Sequence, residues 1–203
     1  KGIRKVNNAP TTDTTNLSYP TWLKVLQHCG CGLDSAVKVN QWCIDSGIFS
    51  GADYLKCWIA SLFQYPLKPL PYLFFYGPQN SGKSTFHESI ELLLTSGYCR
   101  ADNALQNKSG FNAELEGQIL CVVEETDLGR DKTANSRMKD WVTGIHIPIH
   151  PKGKTPYHVV NTSHWVHTAN SHLDCPVFPG DTRVTICYVP KLDEQIPKEL
   201  LRQ

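Results

Sequence analysis

The segment Gly77-Pro78-Gln79-Asn80-Ser81-Gly82-Lys83-Ser84 has two glycines, the second followed directly by Lys-Ser, in the pattern of a phosphate-binding loop. The chemistry this pattern permits is specific. Gly77 and Gly82 allow a tight backbone path. The N–H groups from Pro78 through Thr85, proline excepted, can line a nest for phosphate oxygens at the start of a helix. Lys83 is placed to reach the β- and γ-phosphates, and Ser84 to ligate Mg²⁺. ATP and Mg²⁺ are the implied small-molecule partners. The context fits, because the loop follows the apolar run YLFFY and precedes a helical pattern.

Four further groups could complete such a site. ILCVVEE is a buried strand pattern ending in Glu124 and Glu125. One carboxylate can orient the metal, here Glu124, and the other, Glu125, can activate the attacking water. A solvated acidic strand end is the plain alternative. HWVHTAN ends another strand pattern on Asn170, whose amide can hold a lytic water; otherwise it is a turn residue. Arg183 in GDTRVTIC can stabilise charge in phosphoryl transfer or can be a surface arginine, and its type and place leave both open. HPKGK carries Lys152 and Lys154 around Gly153, a cationic tip suited to sequence-independent phosphate contacts, or else a solvated turn.

Elements must hold these residues. Residues 1–18 are polar and read as a linker or arm. Residues 19–66 contain three apolar-periodic stretches that predict three short helices, with their tryptophans in a core. PLKPLP at 66–71 marks a boundary. From there the pattern is α/β: strands at Tyr72–Tyr76, Ile119–Val123, Trp165–Thr168 and Arg183–Val189, helices over Ser84–Ser96 and 133–143, and a β-hairpin over 145–160.

Bulk properties narrow the class. The 203 residues carry a net charge of +1 and are 40% hydrophobic, which predicts a globular chain whose nucleic-acid contacts, if any, are local. No run has membrane-spanning length and none reads as a signal peptide, so the expected location is intracellular: host cytoplasm, or the nucleus for a nuclear virus. The eight cysteines form no CxxC pair. A zinc site from His28, Cys29, Cys31 and Cys43 competes with free thiols, and its spacing matches no common zinc module. The chain starts at Lys1, and it is expected to be a piece of a longer protein.

The order and compact spacing of these motifs over Tyr72–Val189 resemble superfamily 3 helicases, the hexameric AAA+ motors of small DNA viruses, poxvirus-type primase-helicases, phages and plasmids. The loop resembles motif A, VVEE motif B, MKDWVTGIHIPIHPKGKTP the motif between B and C, HTAN motif C, and DTRVTICYV the arginine-finger segment. The resemblance implies an α/β AAA+ domain over 67–203 with a central, mostly parallel sheet. It implies a helical oligomerisation collar over 19–66 and a hexameric homo-oligomer. It implies ATP-driven unwinding during replication, with single-stranded and fork DNA as partners and no membrane. It makes Arg183 a finger acting in trans, Lys139 a second trans or sensor candidate, and Lys152 the leading DNA-contacting residue. A primase or origin-binding domain is possible on a flank. Papillomavirus-like members carry Lys-His at the tip, whereas Gly153 follows Lys152 here. The alternatives are a phosphate-loop switch or kinase, and an ATP-binding DNA-binding or assembly module without unwinding activity.

Overall fold

A computed structural model of the chain describes residues 19–175 and 180–192. The polar segment 1–18 and the last residues of the predicted motor domain lie outside the described residues.

The central sheet has five parallel strands: β1 (Tyr72–Tyr76), β2 (Tyr98–Arg100), β3 (Leu120–Glu124), β6 (His164–Ala169) and β7 (Val184–Tyr188), in the order β2-β3-β6-β1-β7. Between β3 and β6 the chain makes a separate antiparallel hairpin, β4 (His146–Ile149) and β5 (Tyr157–Val160). A parallel sheet must be covered on both faces, and the strand sequences alternate accordingly. Leu73, Phe75, Leu120, Val122, Val166 and Cys187 enter one hydrophobic cluster. Tyr72, Phe74, Cys121, Val123, Trp165 and Ala169 enter the other. Each fully buried large side chain contributes roughly 1.5–3 kcal/mol.

The first face is covered by α1 (Pro20–Gly30), α4 (Gly51–Gln64) and α5 (Lys83–Glu91), which add Leu26, Leu55, Trp58, Leu62, Phe86 and Ile90. Between α1 and α4 lie two short helices, α2 (Asp34–Val39) and α3 (Gln41–Asp45). The second face is covered by α6 (Asp102–Gln106), α7 (Lys132–Thr143) and the apolar side of the hairpin, through Leu105, Met138, Trp141, Ile147 and Ile149. Side-chain caps fix three helix starts: Ser50 accepts from Asp53 N at 3.1 Å, Asn40 from Cys43 N at 3.2 Å, and Asp131 from Thr133 N at 2.8 Å.

The structure departs from the sequence reading at several points. The middle apolar stretch of 19–66 is two helices, because Asn40 takes an extended backbone and caps the second. The helix expected to reach Ser96 stops at Glu91, leaving Leu92 and Leu93 exposed. Strand β2 and helix α6 had no periodic signal, being three and five residues long. Trp42 is 64% exposed rather than in the core.

The line drawn at 66–71 does not separate two cores. Trp58 Nε1 donates to Pro71 O at 2.9 Å, Tyr54 shares a hydrogen bond with Thr185 at 2.8 Å, and Cys187 Sγ donates to Cys29 O at 2.9 Å. The helical segment thus lies on the sheet as one of its faces. Among the described residues no helix is long and apolar enough to cross a membrane.

Candidate functional site

Parallel strands deliver their carboxyl ends to one edge of the sheet, where ligands of open α/β sheets bind. Here β6 is inserted between β1 and β3, in register Tyr76↔Ala169 and Glu124↔Thr168. The residues that follow these strands are Gly77 after β1, Glu125 after β3 and Asn170 after β6. The strand order therefore collects three motifs that are far apart in sequence.

The loop from Gly77 to Gly82 is shaped by conformations that ordinary residues avoid. Gly82 has φ +81° and Asn80 φ +59°. A Cβ on Gly77 would collide with the carbonyl of Val189, just past β7. Helix α5 starts at Lys83 with no side-chain cap, unlike α3, α4 and α7, so its leading N–H groups face the loop. Lys83 is buried, and its ammonium donates to Gly77 O at 2.9 Å and Pro78 O at 2.8 Å, with Ser81 Oγ at 3.3 Å. Burial pushes its pKa down, opposed by the nearby carboxylate of Glu125. Its fourth neighbour is Asn170 Oδ1 at 3.4 Å. The lysine of the loop thus meets the amide at the end of β6.

Glu124 sits at the centre of a polar cluster. Its carboxylate accepts from His87 Nε2 at 2.9 Å and from Arg100 Nη1. Chiefly through the His87 hydrogen bond, and with help from the Ser84 hydroxyl and Arg100, its pKa falls to about 2. The carboxylate is therefore ionised and within reach of the Ser84 hydroxyl. Asp102 braces the same corner: its carboxylate accepts from Glu124 N at 3.0 Å, Thr126 Oγ1 at 2.7 Å and Arg100 Nε at 3.1 Å. Glu125 is exposed and holds φ +51°, a costly conformation for glutamate, while its N–H donates to Thr168 O at 2.8 Å. A serine hydroxyl beside an ionised carboxylate is an oxygen-donor pair of the kind a hard divalent cation such as Mg²⁺ takes.

His87, Arg100 and Asp102 were not singled out by sequence reasoning. His87 follows Lys83 by one helical turn and could have been found from that spacing. Arg100 and Asp102 reach Glu124 only because β2 pairs with β3, Arg100↔Val122.

Four of the sequence candidates lie elsewhere, Arg183 and Lys139 in one place and Lys152 and Lys154 in another. Arg183 precedes β7 at the opposite edge of the sheet, where its carbonyl accepts from Tyr72 N at 2.8 Å. Its guanidinium forms a two-pronged pair with Asp181 at 2.8 and 2.7 Å. Lys139, on α7, acts on the same Asp181: the Arg183 hydrogen bond first, and Lys139 more weakly, hold that carboxyl down. Arg183 and Lys139 therefore share one surface, remote from their own loop.

Lys152 and Lys154 occupy the exposed turn between β4 and β5, with Gly153 at φ +73°. The hairpin is fixed by two buried asparagines. Asn112 Nδ2 donates to Pro148 O and Asn112 Oδ1 accepts from His150 N, each at 2.7 Å. Asn161 Nδ2 donates to Trp141 O and Gly144 O at 2.7 and 2.8 Å. The root lies beside the amino ends of β3 and β6, where Thr162 donates to Gln118 O at 2.7 Å.

His28, Cys29, Cys31 and Cys43 do not converge as a zinc site. His28 bonds Ser81 O, and among the described residues no three metal-ligating side chains cluster.

No curated protein sequence matches the chain. Solved structures of the NrS-1 C-terminal region are similar in fold. One apo structure, spanning 305–718, matches with a TM-score of 0.64 at 17% identity, over 85% of this chain and 39% of that one. An A-form apo structure matches with a TM-score of 0.64 at 17% identity, over 88% and 40%. The chain thus spans about two fifths of the length of those structures. Residues 75–183 match the model of a family of unknown function, DUF5906; as that span runs from the end of β1 to Arg183 and takes in more than half of the chain, the protein belongs to this family.

Proposed function

We propose that this chain is an ATP-hydrolysing motor domain of the AAA+ superfamily 3 type, working as a ring on single-stranded DNA during replication of a virus, phage or mobile element. The observation that carries the proposal is the meeting of Lys83, Asn170, Glu124 and Ser84 at the carboxyl edge of β1, β6 and β3.

In this reading Lys83 exchanges its loop carbonyls for the terminal phosphates, and the uncapped start of α5 offers its N–H groups to the same oxygens. Ser84 and the ionised Glu124 would hold Mg²⁺, which would neutralise charge on the phosphates. His87, Arg100 and Asp102 fix Glu124, so that it would meet a metal without reorganising. Glu125, exposed and aimed by its unusual backbone, accepts the proton of the attacking water, and the Asn170 amide orients that water. Arg183 cannot serve its own loop from the far edge of the sheet, so its role in charge stabilisation falls to a neighbouring subunit. The Lys152–Lys154 turn contacts DNA phosphates.

The test is steady-state ATP turnover with and without single-stranded DNA. Wild type is expected to hydrolyse ATP faster with DNA. Lys83→Ala is expected to lose turnover and weaken binding, and Glu125→Gln to bind ATP but turn over slowly. Turnover of Lys83→Ala within about threefold of wild type, against the several orders of magnitude that loop chemistry supplies, would sink the assignment. A DNA-indifferent rate would point instead to a switch or kinase.

A further inference from the structure

Residues 39–49 hold large apolar side chains that the fold turns outward. Val37, Cys43 and Ile48 anchor this stretch in the first hydrophobic cluster. Around those anchors Val39 is 82% exposed, Trp42 64% and Phe49 63%. Their positions are fixed. Asn40 caps α3, which carries Trp42, and Phe49 N donates to Asp53 Oδ2 at 3.3 Å beside the cap of α4. Single exposed apolar residues are ordinary, whereas a group of them marks a contact face.

A recess of the same chemistry lies elsewhere on the chain. A cavity of about 290 Å³ opens between α1 and α4, walled by Tyr19, Trp22, Ile59, Ala60 and Leu93. Lys56 completes the wall, its Nζ 5.6 Å from the centre of the Tyr19 ring. An apolar cavity of about 150 Å³ admits a benzene ring, so this one has room for an indole.

We infer that the chain docks head to tail on a second copy of itself, with Trp42 of one copy entering the α1–α4 recess of the next. The contact needs no nucleotide, and it gives the ring proposed above a surface on which copies meet. Size and apolar character match knob to recess. Charge matches as well. Asp45 follows Trp42 by three residues and shares its side of α3, so it arrives at the recess opposite Lys56. Such a pair sets register more than affinity. A strand of nucleic acid would also stack on an exposed tryptophan, but Asp45 and Asp53 outnumber Lys38 around this one, a balance that repels phosphates.

The placement of the two features decides the symmetry. Leu93 lies in the connection from α5 to β2, one edge strand of the sheet. The turn before α2 packs on the other edge strand, β7, where a Cβ on Gly32 would collide with the Tyr188 carbonyl. The recess thus faces the β2 side and the knob the β7 side. Two copies cannot exchange such features across a two-fold axis. The contact instead leaves one knob and one recess free, and repeats into a ring or a filament.

The experiment is sedimentation velocity without nucleotide, over a series of protein concentrations, on wild type, Trp42→Ala and Ala60→Trp. Both positions are exposed, and urea unfolding checks that each variant folds. Wild type is expected to self-associate, and each variant to do so at least about tenfold more weakly. Trp42→Ala keeps its recess and Ala60→Trp keeps its knob, so an equal mixture is expected to form a complex of two copies and nothing larger. Asp45→Lys and Lys56→Asp are each expected to weaken association, and the two together in one chain to recover it; this pair decides the matter if either bulky change fails to fold. Wild type that stays monomeric at every concentration overturns the docking and leaves the phosphate loop to its own turnover test. Association of a folded Trp42→Ala or Ala60→Trp equal to wild type also overturns it. A mixture without the two-copy complex overturns the head-to-tail geometry, and a doubly reversed chain no stronger than its single variants overturns the register.

Discussion

His167 predicts a specific acid sensitivity. It lies in the middle of β6, fully buried, one residue before Thr168, whose carbonyl holds Glu125 in place. Its Nε2–H donates to Thr126 O at 3.0 Å, tying β6 to the turn after the two glutamates. The ring stands edge-on to Phe74 at 4.8 Å and Tyr72 at 6.0 Å, and among the described residues Nδ1 has no partner. Burial pushes its pKa down from 6.5 to about 4, only partly offset by the Thr126 carbonyl. Between those values the unfolded chain holds a proton on this ring and the folded chain does not. Stability therefore falls as pH drops through that window, by about 1.4 kcal/mol per pH unit and about 3 kcal/mol over its whole width. That is a large part of a typical domain's 5–15 kcal/mol, roughly stated. The assay is urea unfolding at closely spaced pH values from neutral to about 4, the lower end of the window. His167→Gln keeps a donor for Thr126 but does not titrate, so it should lose distinctly less stability over the window than wild type. His164 is also depressed by burial and remains in both proteins, so the difference between the two curves isolates His167. Parallel curves would refute the reasoning.

Two further outcomes test the remaining parts. Arg183→Ala should lower ATP turnover by a factor on the order of 10³, and mixing it with Lys83→Ala protein should restore some activity, because mixed interfaces pair an intact loop with an intact arginine; no recovery despite co-assembly would remove the trans role. Lys152→Ala should weaken single-stranded DNA binding equally on different sequences and flatten its salt dependence by roughly 0.7 in slope per lost phosphate contact, with basal ATP turnover unchanged; an unaltered slope, also with Lys154→Ala added, would take the hairpin turn out of the DNA path.

Local conformation was legible in the sequence wherever a few consecutive residues dictate it. The turn from Gly77 to Gly82 is such a case in its backbone: glycines at 77 and 82 are needed for its path, and Lys-Ser follows at once. The hairpin over 145–160 was legible because alternation and a Gly-containing tip are short-range signals. The strands β1 and β3 were legible because burial on both faces leaves continuous apolar runs. Short elements were not: β2 and α6 complete no period, yet β2 brings Arg100 to Glu124, and the residue that opens α6, Asp102, braces the same corner. What only the tertiary structure decided is adjacency. The insertion of β6 between β1 and β3 sets Asn170 beside Lys83 across 87 positions of sequence, and the packing of α1 on the sheet sets His28 against Ser81 across 53. Strand order and helix docking are fixed by the sum of many weak apolar contacts over two shared cores, and no single stretch of sequence carries that sum.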